Sequence, residues 1–504
     1  MKKTKLEKYL YKIAEGIGAP ATMELAVKNY RDIEGLKDDQ LKLLKTIIHN
    51  AVSNNRIPVS YQSFLIFYYL NHFYDPKIVI ILRLFWKNLP AFNLKSEFFF
   101  QVQGFSFNKN ILFDDFLNEC LVILAEDFRK KFDRCFSRPD KKTTRVIVFT
   151  TCMIGNLRHA PTKQLFDLVE ASYSLGYQPF ILLSQIYPYQ LQLSYIGNLS
   201  FRRCLPDAPF GANISLNIEG SSGTPKKCDI FNYGPSPNGQ FDPIILSTLL
   251  QRLNPMFVIG LGQFNWIQEA LAVSFPSALF LTNSLRVVKT NNTFVWGHAS
   301  LVDKSIRSKQ PSKFGFRQLS WYREKLGEKR HFSIPDGKFS LGIIGNRLES
   351  EIGPPELDFL SRLSQVVDNY VLVVVGKCSE DLASKISQAT SDNCLIMQYR
   401  NDLGDIMSSL DLVLNLRRLG GGFTVCQGLG RGILTLTINY GDVSLILPPE
   451  LQASSYHELI TLVAKMLSLS RVERQTKAHE IFATLPTSTD FLREVVQELE
   501  NLTE

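Results

Sequence analysis

The sequence predicts an α/β protein with two doubly wound, parallel-sheet domains behind an all-helical N-terminal segment. Three observations carry this. Short apolar, β-branched runs alternate with helical periodicities in two separate series, which is the pattern of βαβ units. The region before the first series has only helical periodicity. The length of 504 residues accommodates about three domains at roughly 100–200 residues each.

Residues 1–140 read as helices. Leu41, Leu44, Ile48 and Val52 recur near the helical period, as do Phe113, Phe116, Leu117, Cys120, Leu121 and Leu124. The apolar stretches Phe64–Leu70 and Ile78–Trp86 are too short to span a bilayer and are interrupted by Asn71, Asp75 and Lys77. A basic run follows: Arg129, Lys130, Lys131, Arg134, Arg138, Lys141 and Lys142, diluted by Asp133 and Asp140. It reads either as a solvated helix face and linker or as a patch for anionic lipid or substrate.

The first α/β series is expected over 144–330. Val146–Thr150 is a buried strand, a helix runs from Pro161 to Leu175, and Phe180–Leu183 is the next strand. Met256–Gly260 and Ala278–Thr282 continue the series, with a helical pattern at Trp266–Val273 between them. After a polar stretch, the second series is expected over 336–480. Its strands are Phe339–Ile344, Val371–Val375, Cys394–Met397, Leu412–Leu416 and Ile433–Thr437. Helices are expected at Glu356–Val367, Asp381–Ser391 and Asp402–Leu410, with a C-terminal helix in 481–504. Two such domains place a cleft between the carboxyl ends of their strands, where nucleotide-like ligands bind.

Composition excludes several classes. A hydrophobic fraction of 45% and a charged fraction of 21% rule out bulk disorder and collagen. The net charge of +8 is mild for this length and does not call for nucleic acid. None of the eight cysteines forms a C-x-x-C pair or a zinc-spaced cluster, as expected in a reducing compartment. No apolar segment follows Lys2, Lys3, Lys5 and Lys8, so no signal peptide is expected and the protein is read as cytoplasmic, with at most peripheral membrane contact. P-loop, G-x-S-x-G and D-x-D motifs are absent.

The segment richest in chemistry runs from Asn415 to Gly432. A buried strand leads through Arg417 and Arg418 into Gly420, Gly421 and Gly422, and a helix starts near Phe423. Glycines let a backbone approach a phosphate closely, and the N–H groups of a helix start point at it. Thr424 adds a hydroxyl donor, and either arginine can add charge-assisted hydrogen bonds. The alternative is a plain tight turn with surface arginines.

This segment, with Gly432–Thr437 and Gly441-Asp442-Val443 after it, resembles the nucleotide-sugar signature of GT-B glycosyltransferases, bacterial and nucleotide-sugar-dependent, with features of the group 1 and O-GlcNAc-transferase-like branches. The resemblance covers about residues 144–480 and implies two Rossmann-like domains. It also implies a donor site of Arg347, Tyr399, Arg417, Arg418, Gly420, Gly421, Gly422, Phe423, Thr424, Gln427 and Asp442. Arg347, in Gly342–Glu349, would meet the donor diphosphate, and Tyr399, in Gln398–Leu403, would lie at the base. The large retaining branch frames its glycine turn with two glutamates; Leu419 and Gln427 stand at those positions, so both carboxylates are missing. Gln427 can still hydrogen-bond a ribose hydroxyl. In the first domain, His159 of the Asn156–Lys163 loop is the candidate for acid/base or sugar-contacting work, and a cap or packing role is the other reading. Arg158 and Lys163 are weaker candidates, while Asn265 and His298 read as structural.

The implied activity is transfer of a sugar, expected from a UDP-sugar, to a protein or glycan acceptor, with no cofactor and no metal. Two alternatives stand beside it: a catalytically inactive glycosyltransferase-like binding partner, and a nucleotide-sugar epimerase.

Overall fold

The computed structural model describes residues 46, 59–72, 78–109, 113–137, 144–155, 160–184, 211–219, 225–236, 240–282, 289–292, 294–296, 318, 337–345, 347–398, 400, 403–418 and 420–501. Helices α1 (Val59–His72), α2 (Ile78–Asn88), α3 (Phe92–Lys109) and α4 (Asp114–Phe132) come first. Helix α4 follows from its charge and apolar spacing. Asp114 and Asp115 lie in its first turn and Arg129, Lys130 and Lys131 in its last, matching the helix dipole at both ends. Phe116, Leu117, Cys120, Leu121, Leu124, Phe128 and Phe132 form its buried stripe.

The first sheet contains β1 (Val146–Thr151), β2 (Gln178–Ser184), β3 (Asn213–Glu219), β4 (Pro225–Tyr233), β5 (Phe257–Leu261), β6 (Ser277–Phe280) and β7 (Phe294–Trp296). Its order is β3-β4-β2-β1-β5-β6-β7, parallel throughout except for the β3–β4 pair. Helices α5 (Ala160–Ser174), α6 (Pro243–Leu253) and α7 (Trp266–Leu271) connect its strands. The chain runs outward from β1 on one side, then crosses to β5 on the other, so the switch point lies between these two strands.

The described N-terminal helices do not make a core of their own. Phe98, Phe116, Leu124 and Phe128 share one apolar cluster with Val146, Val148, Phe180, Leu182, Tyr233 and Trp266 of the sheet and α7. Phe92 and Phe128 each meet the Trp266 ring edge-on at 5.2 Å, and Trp266 Nε1 donates to Ser96 Oγ at 3.1 Å. These helices are a covering layer on the first sheet, so the boundary expected at residue 140 cuts through a shared core. Within the basic run, Arg129 pairs with Asp133 at 3.8 Å and Lys130 with Asp127 at 3.9 Å. Lys131 sits over the Phe92 ring at 5.6 Å. Arg138, Lys141 and Lys142 lie outside the described residues.

The second sheet is entirely parallel, in the order β10-β9-β8-β11-β12-β13. Its strands are β8 (Phe339–Ile344), β9 (Tyr370–Val375), β10 (Cys394–Met397), β11 (Leu412–Asn415), β12 (Leu434–Ile438) and β13 (Gln452–Ala453). Its helices are α8 (Leu348–Glu351), α9 (Pro354–Val366), α10 (Glu380–Ala389), α11 (Leu403–Ser408) and α12 (Gly422–Leu429), followed by α13 (Tyr456–Leu467) and α14 (Arg471–Ala483). Here the switch point falls between β8 and β11.

The last helix, α15 (Ser488–Glu500), returns to the first half. Its apolar face of Phe491, Leu492, Val495, Val496 and Leu499 joins the core behind β1, with Leu165, Leu168 and Val169 of α5. Tyr177 OH donates to Glu500 Oε1 at 2.9 Å, and Ser488 Oγ donates to Asp167. The expected break at residue 480 falls inside α14, and the terminal helix is a structural part of the first half. No helix among the described residues is long and apolar enough to cross a membrane.

Candidate functional site

The carboxyl ends of β8 and β11 carry two glycine turns that face each other across the switch point. From β11 the chain passes Asn415, Leu416, Arg417 and Arg418 to Gly421, which caps α12 with φ +113°. That left-handed conformation favours glycine, and a Cβ there would stand 2.9 Å from both Arg418 Nη2 and Asn415 Oδ1. Glycine is therefore required on two counts. Because Gly421 has no side chain, α12 has no side-chain cap. Its first intrahelical bond runs from Val425 N–H to the Gly421 carbonyl at 3.0 Å, so the N–H groups of the turn before it point out of the helix start. A Cβ on Gly420 would lie 3.2 Å from Arg347 Nη2, which places the Arg347 guanidinium against the same turn. An open helix start, backbone without side chains and adjacent guanidinium are what a phosphate requires.

The three arginines have different fates. The Arg347 side chain is 38% exposed and its Nη2 lies 3.1 Å from Glu351 Oε1. Arg417 is exposed, with its guanidinium over the Tyr440 ring at 5.0 Å. Its backbone N–H donates to Tyr456 OH at 3.2 Å, and Tyr456 OH donates to Glu356 Oε1 at 2.5 Å. Burial and the neighbouring Glu356 push the Tyr456 hydroxyl above its ordinary pKa. Arg418 is buried beneath the turn. Its Nε donates to Asn415 Oδ1 and its Nη1 to the Ile344 carbonyl, both at 2.5 Å, and Nη1 is 3.6 Å from Glu351 Oε2. Burial lowers its pKa, Glu351 opposes that shift, and nearby Arg347 adds to it.

The other expected donor residues cluster around this turn. Gly422 is buried, while Phe423, Thr424 and Gln427 are half-buried on α12. Asp442, half-buried after β12, lies close enough for its charge to help Arg418 keep its proton. Tyr399, His159, Arg158 and His298 lie outside the described residues. Lys163 is half-buried near the start of α5. Asn265 is structural: its Oδ1 caps α7 by accepting from the N–H groups of Ile267 and Gln268, each at 3.2 Å. Among the described residues, no group of three His, Cys, Asp or Glu side chains is placed to hold a metal ion.

Sequence reasoning missed Asn415, Glu351, Glu356 and Tyr456 as parts of the site. Asn415 carried a signal, a polar residue closing an apolar strand, and its Nδ2 donates to Thr437 Oγ1 at 3.0 Å. Glu351 carried one too, standing four positions after Arg347 in a helical stretch. Glu356 and Tyr456 carried none, because they are far apart in sequence.

No protein-family model and no curated protein matches this chain. Among solved structures it is similar to a glycosyltransferase from Rickettsia africae, at 10% identity and a TM-score of 0.47 over 72% of this chain and 99% of that one. It is also similar to HepE from Anabaena in complex with UDP and glucose, at 13% identity and a TM-score of 0.43 over 71% of this chain and 99% of that one. A third is WaaG, a glycosyltransferase involved in lipopolysaccharide biosynthesis, at 13% identity and a TM-score of 0.39 over 68% of this chain and 97% of that one.

Proposed function

We propose that this protein is a GT-B glycosyltransferase whose second half holds a nucleotide sugar, expected to be a UDP-hexose, by its diphosphate. One observation carries the reading: the side-chain-free start of α12 opens at the switch point between β8 and β11, with Arg347 against its glycine turn. Gly420–Thr424 would cradle the diphosphate, Gln427 would approach the ribose, and Tyr399 would lie near the base. Charge develops on the departing diphosphate, and a fixed guanidinium with helix N–H groups stabilises it where other transferases use a metal. His159, which precedes α5 in the sequence, is the proposed acid/base or sugar-contacting group, and the acceptor is a protein or glycan hydroxyl or amide.

The test is calorimetric titration with UDP, GDP, ADP and CDP, followed by transfer assays with the matching sugar nucleotides with and without EDTA. Submillimolar binding of one nucleoside diphosphate and turnover insensitive to EDTA are expected. Failure of every nucleotide to bind overturns the reading. Leu419 and Gln427, standing where the retaining branch has carboxylates, favour a second reading, that of a binding partner without catalysis. Tight nucleotide binding with neither transfer nor hydrolysis selects that second reading.

A further inference from the structure

We infer that Arg418 is a positioning residue, not a ligand cation: it locks the two glycine turns together across the switch point and so sets the shape of the anion cradle. Its relevance to a nucleotide rests on the function proposed above. The lock itself rests on the geometry of the tie.

A guanidinium has five donors in a rigid planar fork. Arg418 commits this fork inward. Nε reaches Asn415 on its own strand end, and Nη1 reaches the Ile344 carbonyl at the end of β8. The same Nη1 faces Glu351 of α8, whose other oxygen pairs with Arg347. Asn415 in turn holds Thr437 of β12. One chain of polar contacts thus ties three strand ends and the first helix after β8. The two turns also close around the fork. A Cβ on Gly345 would lie 2.6 Å from Nη1, and one on Gly421 would lie 2.9 Å from Nη2. With a side chain only 6% exposed, Arg418 lies under the cradle, whereas Arg347 at 38% lies at its rim. Lysine carries the same charge but has no fork, so it cannot hold Asn415 and the Ile344 carbonyl in one plane.

The experiment combines two readouts on the full chain. Amide hydrogen exchange in residues 343–348 and 425–430 reports the lock, and titration with UDP at several salt concentrations reports the cradle. Arg418→Lys should speed exchange in both segments about tenfold while peptides of α15 and the first sheet keep wild-type rates. It should weaken UDP binding about tenfold with the salt dependence unchanged. Arg347→Gln should do the opposite: exchange as in wild type, with weaker binding and a shallower salt dependence. Wild-type exchange at both turns in Arg418→Lys overturns the inference. So does a shallower salt dependence with unchanged exchange, which would make Arg418 a ligand. Should Arg418→Lys fail to fold, Glu351→Gln weakens the far end of the same tie and should speed exchange in the same two segments. Unaltered exchange there is then the overturning result. If the wild type binds no UDP, the proposed UDP specificity fails, while the exchange measurement still decides the lock.

Discussion

Both sheets grow first to one side of their opening strand and then to the other, so each has a switch point, yet the helix that follows it starts in opposite ways. Among the described residues of the first half, polar groups near the strand ends pair with one another. Asn265 caps α7 and donates from Nδ2 to Ser184 Oγ at 2.7 Å, and the Gly155 N–H donates to Thr162 Oγ1 at 2.7 Å. Thr150 donates to Gln268, whose Nε2 donates to Asn292 Oδ1 at 2.6 Å, and Asn292 donates to the buried Glu269. In the second half the helix start has a glycine where the first has a capping asparagine, and guanidinium groups gather beside it. An α/β switch point becomes an anion site when its helix is left uncapped and charged residues face it. When a side chain fills the cap, it satisfies those N–H groups instead.

The sharpest way to break this comparison is Gly421→Val. A β-branched residue at φ +113°, with its Cβ driven against Arg418 and Asn415, should weaken nucleoside diphosphate binding by about a thousandfold. Calorimetry checks this, with circular dichroism confirming the fold; unchanged affinity would remove the donor site from this turn.

The next effect belongs to the first half and depends on pH. Burial pushes the Glu269 carboxyl up to about 7 from its ordinary 4.5, against the lowering influence of Thr290, Asn291 and Asn292. Because the folded pKa is the higher one, the folded chain holds the extra proton between these values. Its stabilising contribution is complete below pH 4.5 and is lost as pH rises through 7, on the order of 3 kcal/mol. Denaturant titrations of wild type and Glu269→Gln from pH 4.5 to 8 should therefore diverge, the variant having the flatter profile. Parallel profiles would show that the three donors already hold the carboxylate ionised.

Smaller effects follow. Arg347→Gln removes the more exposed charge beside the turn and should cost about tenfold in diphosphate affinity, measured as Kd at low salt. Asn265→Ala removes the α7 cap and should lower stability by about 1 kcal/mol in denaturant titrations, leaving nucleotide affinity unaltered. A loss of affinity in Asn265→Ala would mean that the two helix starts are coupled.

Much of the fold was legible because its central strands are apolar runs buried on both faces, and even the half-buried edge strand β10 is continuously apolar. Phe339–Ile344 and Cys394–Met397 have the boundaries expected from their apolar runs, and β9, β11 and β12 differ by a residue or so. Strands β3 and β4 were passed over. Asn213–Glu219 carries the polar–apolar alternation of a half-buried edge strand, a local signal the sequence reading did not use. Strand β4 has weaker local signal, with Lys226, Lys227 and Asp229 in it, and its place is fixed by pairing with β2 and β3.

The sequence by itself determined two parallel-sheet series, a helix-rich N-terminal region and a glycine-rich turn between a strand and a helix, because each is written in local periodicity and residue type. Only the tertiary structure decided that the described N-terminal helices and α15 complete the first half, since a helix's apolar stripe does not name the surface it will cover. It also separated Arg417 from Arg418. These neighbours are identical in chemistry, yet one lies exposed over Tyr440 and the other is buried under the turn. A guanidinium can be buried only where acceptors converge on it. Those of Arg418 include the Ile344 carbonyl and Glu351, which reach it only once β8 and β11 stand side by side.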